Sequence, residues 1–194
     1  MPIALALVMV LPIHVHATSG IPKPMLSRAL AEAAIIWRDV GVGLEWYTGG
    51  SAPPSSLQVE VGDEAGRPMD GQWPLAWITF VDGVPDDTIH VSHANAVRLF
   101  EAAEVVRNRR EAPVAMVNEL VGRAIGRALA HEIGHYLFRS TMHDARGVMG
   151  TGRSAIELFG YGRDGFLLTS AERERLSAVL QRYRLAQRTP TPFR

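Results

Sequence analysis

The spacing of apolar residues along the chain predicts helices and strands that alternate within one domain. Between Ala115 and Leu137 apolar residues recur every three or four positions, which is the period of an amphipathic helix packed on a core. Patterns of the same kind predict helices over 24–40, over about 93–110 and after Thr169. Short alternating or β-branched runs predict strands. These strands are Pro12–Ala17, Leu44–Tyr47, Leu57–Val61, Ala76–Val81 and Thr88–Ser92.

Glycine- and proline-rich segments are expected to connect the strands at 48–56, 62–74 and 82–87. The first predicted helix ends before Gly41 and should bury one face. That face holds Leu26, Leu30, Ala33, Ala34 and Trp37. The last predicted helix begins with a capping box formed by Thr169 and Glu172. Its buried stripe is Leu176, Val179, Leu180 and Tyr183.

The long central helix contains three glycines, Gly122, Gly126 and Gly134. Each weakens a helix by up to about 1 kcal/mol relative to alanine. A helix that keeps three of them is expected to need them for the close approach of another backbone.

The same helix carries the sequence His131-Glu132-Ile133-Gly134-His135. Residues four apart lie one turn apart on nearly the same face, so both imidazoles can reach one metal ion at roughly 2.0–2.1 Å. Glu132 points about a quarter-turn away, which suits a base that deprotonates a metal-bound water. An ordinary core helix with this sequence would bury several polar groups without partners. The motif therefore predicts a catalytic zinc site.

A catalytic zinc ion has three protein ligands and one open position, so a third ligand is expected. His143 is the nearest candidate, eight residues after His135. It requires the helix to end almost at once, which Ser140 and Thr141 favour. Six residues later a methionine stands between glycines in Gly147-Val148-Met149-Gly150, where it can form a tight turn below the site.

Together these residues resemble the metzincin clan of zinc metalloproteases, in particular small bacterial metzincin-like proteins. Members share an HExxH helix, a third histidine shortly after it and a downstream methionine turn. The resemblance implies that His131, His135 and His143 bind zinc, that Glu132 is the general base and that Met149 is the turn methionine. It also implies an α/β (α+β) fold of the zincin type, with a small twisted mixed sheet, an active-site helix and a C-terminal helix. The predicted order of elements agrees with that fold.

The chain departs from the usual motif, HExxHxxGxxH. It has Phe138 in place of the glycine and Thr141 in place of the third ligand, so the helix exit is expected to differ. Two carboxylates compete with His143, namely Asp144 beside it and Glu157, which lies 22 residues beyond the motif. We favour His143 because the nearby methionine turn fits a short return of the chain, and we expect Glu157 to be a solvated charge.

The sequence thus predicts a single catalytic domain over residues 1–194, a zinc metalloendopeptidase acting on peptide or protein substrates. Two other functions stay open, a catalytically silent zinc-binding module and a hydrolase of a non-peptide amide. Glu132 argues against the first, because a purely structural zinc site has four ligands and needs no base. The second would use the same activated water, so the residues do not separate it from peptide hydrolysis.

Several further residues are candidates near the reacting bond. Tyr161 and Tyr136 are possible oxyanion donors, and Tyr161 is preferred because it follows the methionine turn. The resemblance places a peptide-binding edge strand before the Thr88–Ser92 strand, which selects Leu75–Thr79. Trp77 in that segment either offers apolar surface to a substrate or packs in the core. The remaining histidines, expected to be structural, are His14, His16, His90 and His93.

The amino-acid composition limits which classes of partner and ligand are expected. Lys plus Arg and Asp plus Glu number 20 each, so no net charge favours nucleic acid or an anionic membrane. The basic residues Arg107, Arg109 and Arg110 are expected to be a solvated helix end. The absence of cysteine excludes disulfides and thiolate zinc ligands.

Two further predictions concern the ends of the chain. The apolar run Ile3–Leu11 is too short to span a bilayer. Residues 1–11 are expected to be either a signal-peptide remnant or an extension of the first strand. We favour export, because proteases of this type usually act outside the cytoplasm. Residues 188–194 are expected to form a frayed tail, and the sequence does not predict an oligomeric state.

Overall fold

The computed structural model of the protein describes residues 9–68, 73–103 and 112–188. Within these ranges a sheet of five strands packs with five helices, three of which are long. The strands are β1 (Met9–Ala17), β2 (Val42–Tyr47), β3 (Leu57–Gly62), β4 (Ala76–Val81) and β5 (Val84–Ser92). The helices are α1 (Lys23–Arg38), α2 (His93–Ala102), α3 (Val114–Phe138), α4 (Ala155–Phe159) and α5 (Ser170–Arg188), with a 3-10 turn at Asp164–Phe166.

The sheet is mixed, with strand order β2-β1-β3-β5-β4. Strand β1 pairs in parallel with β2 and β3, β3 pairs in parallel with β5, and β4 runs antiparallel to β5 at one edge. Along β1 the side chains of Leu11, Ile13 and Val15 are buried, whereas His14 and His16 alternate onto the opposite face. This alternation specifies the register, because a slip of one residue would turn the apolar set to solvent.

Helices α1 and α3 pack closely, and two glycines of α3 make this possible. A Cβ atom at Gly122 would lie 2.6 Å from the carbonyl oxygen of Met25, and one at Gly126 would lie 2.4 Å from that of Ala29. Trp37 of α1 donates from Nε1 to the carbonyl oxygen of Ala130 at 3.1 Å. The expectation that glycines admit a neighbouring backbone is therefore confirmed at both positions.

The predicted connection at 82–87 is wrong. Strands β4 and β5 join directly in a tight hairpin, with Asp82 (φ 51) and Gly83 (φ 77) both in the left-handed region. Positive φ at both central residues is typical of a type I′ turn, for which Asp-Gly is a preferred sequence. Strand β5 consequently begins at Val84 and not at Thr88.

The buried face of α1 is also rotated from the predicted one. Leu26 and Ala34 are only half-buried, whereas Glu32 has no exposed surface. Its carboxylate accepts hydrogen bonds from Arg28, Arg127 and Arg163. Because the last two partners are 95 and 131 residues away, a local pattern does not reveal them.

Some of the remaining predictions concern residues that the structure describes, and others do not. Helix α4, between the methionine turn and α5, has no counterpart among the predicted helices, and the capping box of Thr169 and Glu172 is confirmed at the start of α5. Met9–Leu11 belongs to β1. The predictions for residues 1–8, for Arg107, Arg109 and Arg110, and for residues 189–194 lie outside the described residues. Among the helices that are described, none has the length and apolar character needed to cross a bilayer.

Candidate metal centre

Helix α3 and the loop after it bring three histidines to one point. His131 and His135 lie one turn apart, and the helix ends at Phe138 because Arg139 adopts a left-handed conformation (φ 49). The chain then returns, so that Nε2 of His135 lies 3.0 Å from Nε2 of His131 and 3.2 Å from Nε2 of His143. Two ligand atoms of one tetrahedral zinc ion are about 3.3 Å apart. The spacing therefore fits a single metal ion.

The second ring nitrogen of each helical histidine faces a carbonyl oxygen. Nδ1 of His131 lies 2.8 Å from the oxygen of Val148, and Nδ1 of His135 lies 2.6 Å from that of Ser140. Because a carbonyl oxygen only accepts, each Nδ1 carries the proton and each neutral ring presents a lone pair at Nε2. Two lone pairs 3.0 Å apart repel each other unless a cation lies between them. The donor set thus fits a metal ion.

Burial keeps the two helical imidazoles neutral. Desolvation, helped by the neighbouring His135, lowers the pKa of His131 to about 4, and burial also lowers the pKa of His135. A histidine must be neutral to bind a metal. Among the described residues, the ligand atoms of His131, His135 and His143 all lie within 4.8 Å of one another, so this group can hold an ion.

Glu132 lies next to His131 on α3 and is buried. Burial raises the pKa of its carboxyl to about 8, although the backbone N–H of Ile78 in β4 donates to the carboxylate and opposes the rise. None of the described lysines and arginines forms an ion pair with it. A cation held by the histidines favours the ionised form and so lowers this pKa. The carboxylate is placed where it can act as a base beside such an ion.

Met149 packs against α3 at Gly134, one residue before His135. Its side chain is buried, and a Cβ atom at Gly134 of α3 would lie 2.3 Å from the Met149 sulfur. The close approach predicted for Gly134 is therefore present, but the partner is a side chain and not a backbone. The turn itself begins at Gly147, whose φ of +79 favours glycine. The turn thus lies against the end of α3 that carries the histidines, and the carbonyl oxygen of Val148 meets the ring of His131.

The two rival ligands have other partners. Oε2 of Glu157 accepts from the backbone N–H of Ser154 at 2.9 Å and from its hydroxyl at 2.8 Å, forming the cap of α4. Asp144 forms an ion pair with Arg175. Within the described residues neither carboxylate joins the group of three histidines.

Strand β4 is the part of the sheet that lies next to the histidines. Among the described strands it forms the sheet edge and pairs with β5 alone, as predicted for residues 75–79. The ring of Phe80 meets that of His135 edge-on at 6.2 Å, and Ile78 donates its N–H to Glu132. An edge strand therefore runs directly beside the metal-binding helix.

The structure does not bring Tyr161 or Trp77 to the three histidines. Tyr161 is exposed, and its ring lies 4.2 Å from the guanidinium of Arg123, which precedes His131 by about 12 Å along α3. Trp77 alternates with Ile78 and turns to the other face of the sheet, where it stacks on His90 at 5.2 Å.

Tyr136, the alternative oxyanion donor, follows His135 on α3 and is half-buried. Burial, together with the charge of Asp87, raises the pKa of its hydroxyl. The four remaining histidines, predicted to be structural, lie apart from the metal centre on β1, β5 and the start of α2. Three of them have polar side-chain partners, His16 with Gln58, His90 with Glu60 and His93 with Asp63, and the ring of His14 lies 4.0 Å from that of His16.

Sequence reasoning missed the groups that orient the histidines and the base. Three are backbone atoms, the carbonyl oxygens of Ser140 and Val148 and the N–H of Ile78, which no residue pattern encodes. The fourth is the carboxylate of Glu172, which accepts from the backbone N–H of Met149 at 2.8 Å. Its capping-box position was visible in the sequence, but this second partner was not.

Comparisons with known proteins extend the description of the fold. No protein-family model matches the chain, and no curated protein is significantly similar to it in sequence. The chain is similar to the crystal structure of archaemetzincin from Methanopyrus kandleri, with a TM-score of 0.52 and 14% sequence identity. The match covers 88% of this chain and 96% of that one. The fold is metzincin-like. The predicted fold class is thereby confirmed, while an identity this low carries no activity from one chain to the other.

Proposed function

We propose that this protein is a zinc-dependent metalloendopeptidase of the metzincin type. The observation that carries the proposal is the convergence of the three Nε2 atoms of His131, His135 and His143 beside the buried carboxyl of Glu132. The metzincin-like fold supports the same class, since archaemetzincin belongs by name to the clan that the sequence resembles.

The residues divide the chemistry among them. Three imidazoles form one of the ligand sets of catalytic zinc, and a zinc ion held there would supply Lewis-acid activation of the attacking water and of the substrate carbonyl. Glu132 accepts the proton of the attacking water and then delivers it to the leaving amine. The backbone N–H of Ile78 in β4 faces this carboxylate. The carbonyls of Val148 and Ser140 keep the rings of His131 and His135 in the required tautomer.

An extended peptide is proposed to bind along β4. Its position at the sheet edge leaves backbone groups available to an added strand, and Ile78 and Phe80 place this edge beside Glu132 and His135. Pairing of this kind derives its affinity from main-chain hydrogen bonds. No role at the reacting carbonyl is proposed for Tyr161 or Trp77, because their surroundings place them away from the histidines.

The test compares zinc-loaded wild type with Glu132→Gln on casein and on a library of quenched peptides. We expect the wild type to cleave and the variant to lose about 10²–10⁴-fold in rate while retaining zinc, because a general base contributes about that much. Glu157→Gln, which changes an exposed glutamate away from the histidines, is the matched control and should keep wild-type activity.

Two results would contradict the proposal. Equal rates for wild type and Glu132→Gln would show that Glu132 is not the base. A fully zinc-loaded wild type that cleaves no peptide would favour the silent zinc-binding module or, if simple amides were hydrolysed instead, the non-peptide amidase.

A further inference from the structure

The peptide group between Val148 and Met149 is hydrogen-bonded on both sides. Its carbonyl oxygen faces Nδ1 of His131 at 2.8 Å and accepts the ring proton. Its N–H donates to Oε1 of Glu172 at 2.8 Å. One planar group thus joins a metal-binding histidine of α3 to a carboxylate of α5.

Glu172 is seated firmly in this position. The residue has no exposed surface, and its Oε2 accepts from the backbone N–H of Thr169 at 2.5 Å. A Cβ atom at Gly147 would lie 2.2 Å from that Oε2, so the glycine is needed for the carboxylate to come close. A capping box requires only one carboxylate oxygen to reach the helix end. The second oxygen is therefore free to serve the methionine turn.

We propose that Glu172 is a positioning residue for His131 and acts through the Val148–Met149 peptide group. This inference rests on the proposed zinc site. A carboxylate that accepts from the N–H end of a peptide group polarises it and makes the carbonyl oxygen a better acceptor. A stronger acceptor at Nδ1 fixes the ring and makes Nε2 a better electron-pair donor to a metal.

His135 provides an internal contrast. Its Nδ1 donates to the carbonyl oxygen of Ser140, and Ser140 in turn donates its N–H to the carbonyl oxygen of His135 at 3.3 Å. That support is local to the end of α3 and includes no carboxylate. The support of His131 instead extends to α5, 41 residues along the chain from the histidine it serves.

The test uses Glu172→Gln, which keeps the size of the side chain but replaces one acceptor oxygen with a donor NH₂ group. Thr169→Val is the matched control, because it removes the hydroxyl that caps the Glu172 N–H and leaves the carboxylate in place. Zinc affinity is measured by competition with a chromophoric chelator. The hydrogen bond of His131 is followed by the NMR resonance of its Nδ1 proton in the zinc-loaded protein.

We expect Glu172→Gln to bind zinc about 10–100-fold more weakly, the usual effect of losing an outer-shell partner, and to shift the His131 resonance upfield. Thr169→Val should lower the melting temperature by about 2–4 °C while zinc affinity and the His131 resonance stay at their wild-type values. If Glu172→Gln does not fold, Glu172→Asp replaces it. The shorter side chain keeps the charge but withdraws it from Met149, so the same two changes are expected.

Wild-type zinc affinity and an unshifted His131 resonance in the folded Glu172 variant would overturn the inference. Equal losses in the Glu172 and Thr169 variants would also overturn it, since they would indicate a general loss of packing. Neither readout depends on cleavage. A wild type that binds zinc without cleaving peptides, and loses affinity on Glu172→Gln, would contradict the proposed peptidase and still support the role of Glu172.

Discussion

Two neighbouring parts of α3 both bury polar side chains, but they satisfy them differently. At the middle of the helix, Arg127 is fully buried, and its guanidinium donates to Glu32 and to backbone carbonyl oxygens, including those of Leu158 and Gly162. One turn later, the imidazoles of His131 and His135 point their lone pairs at each other and at His143. The guanidinium of Arg127 is satisfied within the protein, whereas the imidazoles are arranged to accept a cation from solution.

The contrast is clearest between two buried glutamates. Burial alone would raise the pKa of both carboxyls. The guanidiniums of Arg163, Arg28 and Arg127 outweigh it at Glu32 and hold that pKa below its ordinary value. Among the described residues no such charge reaches Glu132, and its pKa rises to about 8. A buried carboxylate with its counter-charges inside the protein stabilises the fold, while one without them marks a candidate reaction site.

The largest effect on stability is expected from Glu32→Gln. The substitution leaves Arg127 and Arg163 without their counter-charge, and breaking a buried ion pair from one side costs about 3–5 kcal/mol. Glu132→Gln is the matched variant and should change the free energy of unfolding by less than about 1 kcal/mol, or increase it, in metal-free protein at neutral pH. Urea unfolding measures both. Equal losses in the free energy of unfolding would contradict the distinction between the two glutamates.

The next effect concerns metal affinity. Three or four ligands share about 10–16 kcal/mol of zinc binding, so His143→Ala should weaken binding on the order of 10²–10³-fold. Glu157→Ala removes the rival carboxylate and should leave one zinc per chain. Competition titration gives the affinities, and metal analysis gives the stoichiometry. Loss of zinc from the Glu157 variant alone would reassign the third ligand.

Two glycine substitutions compare these two parts of α3 directly. Gly126→Ala places a Cβ 2.4 Å from a backbone oxygen of α1, which cannot move alone, so a loss of about 1–3 kcal/mol is expected. Gly134→Ala meets the Met149 sulfur, the mobile end of a side chain. It should cost less stability but weaken zinc binding. Chemical unfolding and zinc titration of both variants test this, and the reverse pattern would contradict it.

A further difference is expected in the pH dependence of stability. Because the pKa of Glu32 is lowered by folding, its contribution is complete above about pH 4.3 and is lost as the pH falls through the folded value. The stability gap between wild type and Glu32→Gln should therefore narrow in acid. For Glu132 the sign is opposite: metal-free wild type should lose stability relative to Glu132→Gln as the pH rises from about 4.3 to about 8. If stability changed with pH in the same way in the two variants, this prediction would be contradicted.

The sequence predicted the elements whose signals are local. The period of α3, the glycines facing α1 and the capping box at Thr169 all depend on neighbouring residues or on one helix face. The hairpin at Asp82 and Gly83 was missed although its Asp-Gly signal was present. The capping box of Ser154 and Glu157, which starts α4, was missed in the same way.

Other features could not be predicted because their causes are distant or reside in the backbone. Glu32 is buried only because arginines on α3 and after α4 reach it, and no pattern along α1 contains them. The grouping of His143 with the HExxH histidines depends on the left-handed conformation of Arg139, which is not a glycine. The sequence predicted that Glu172 caps α5, which is the role of one carboxylate oxygen. It did not predict that the other oxygen accepts from the N–H of Met149.

The location of His143 has a consequence for how quickly a metal would exchange. His131 and His135 are held by a long helix packed into the core, whereas His143 is exposed on the loop that follows it. Loops of this kind open locally at a much lower free energy than core helices. We therefore expect an ion to leave by releasing His143 first, while the other two ligands stay in place. Loading and loss of the metal would then follow the opening rate of a few loop residues and would not require the domain to unfold.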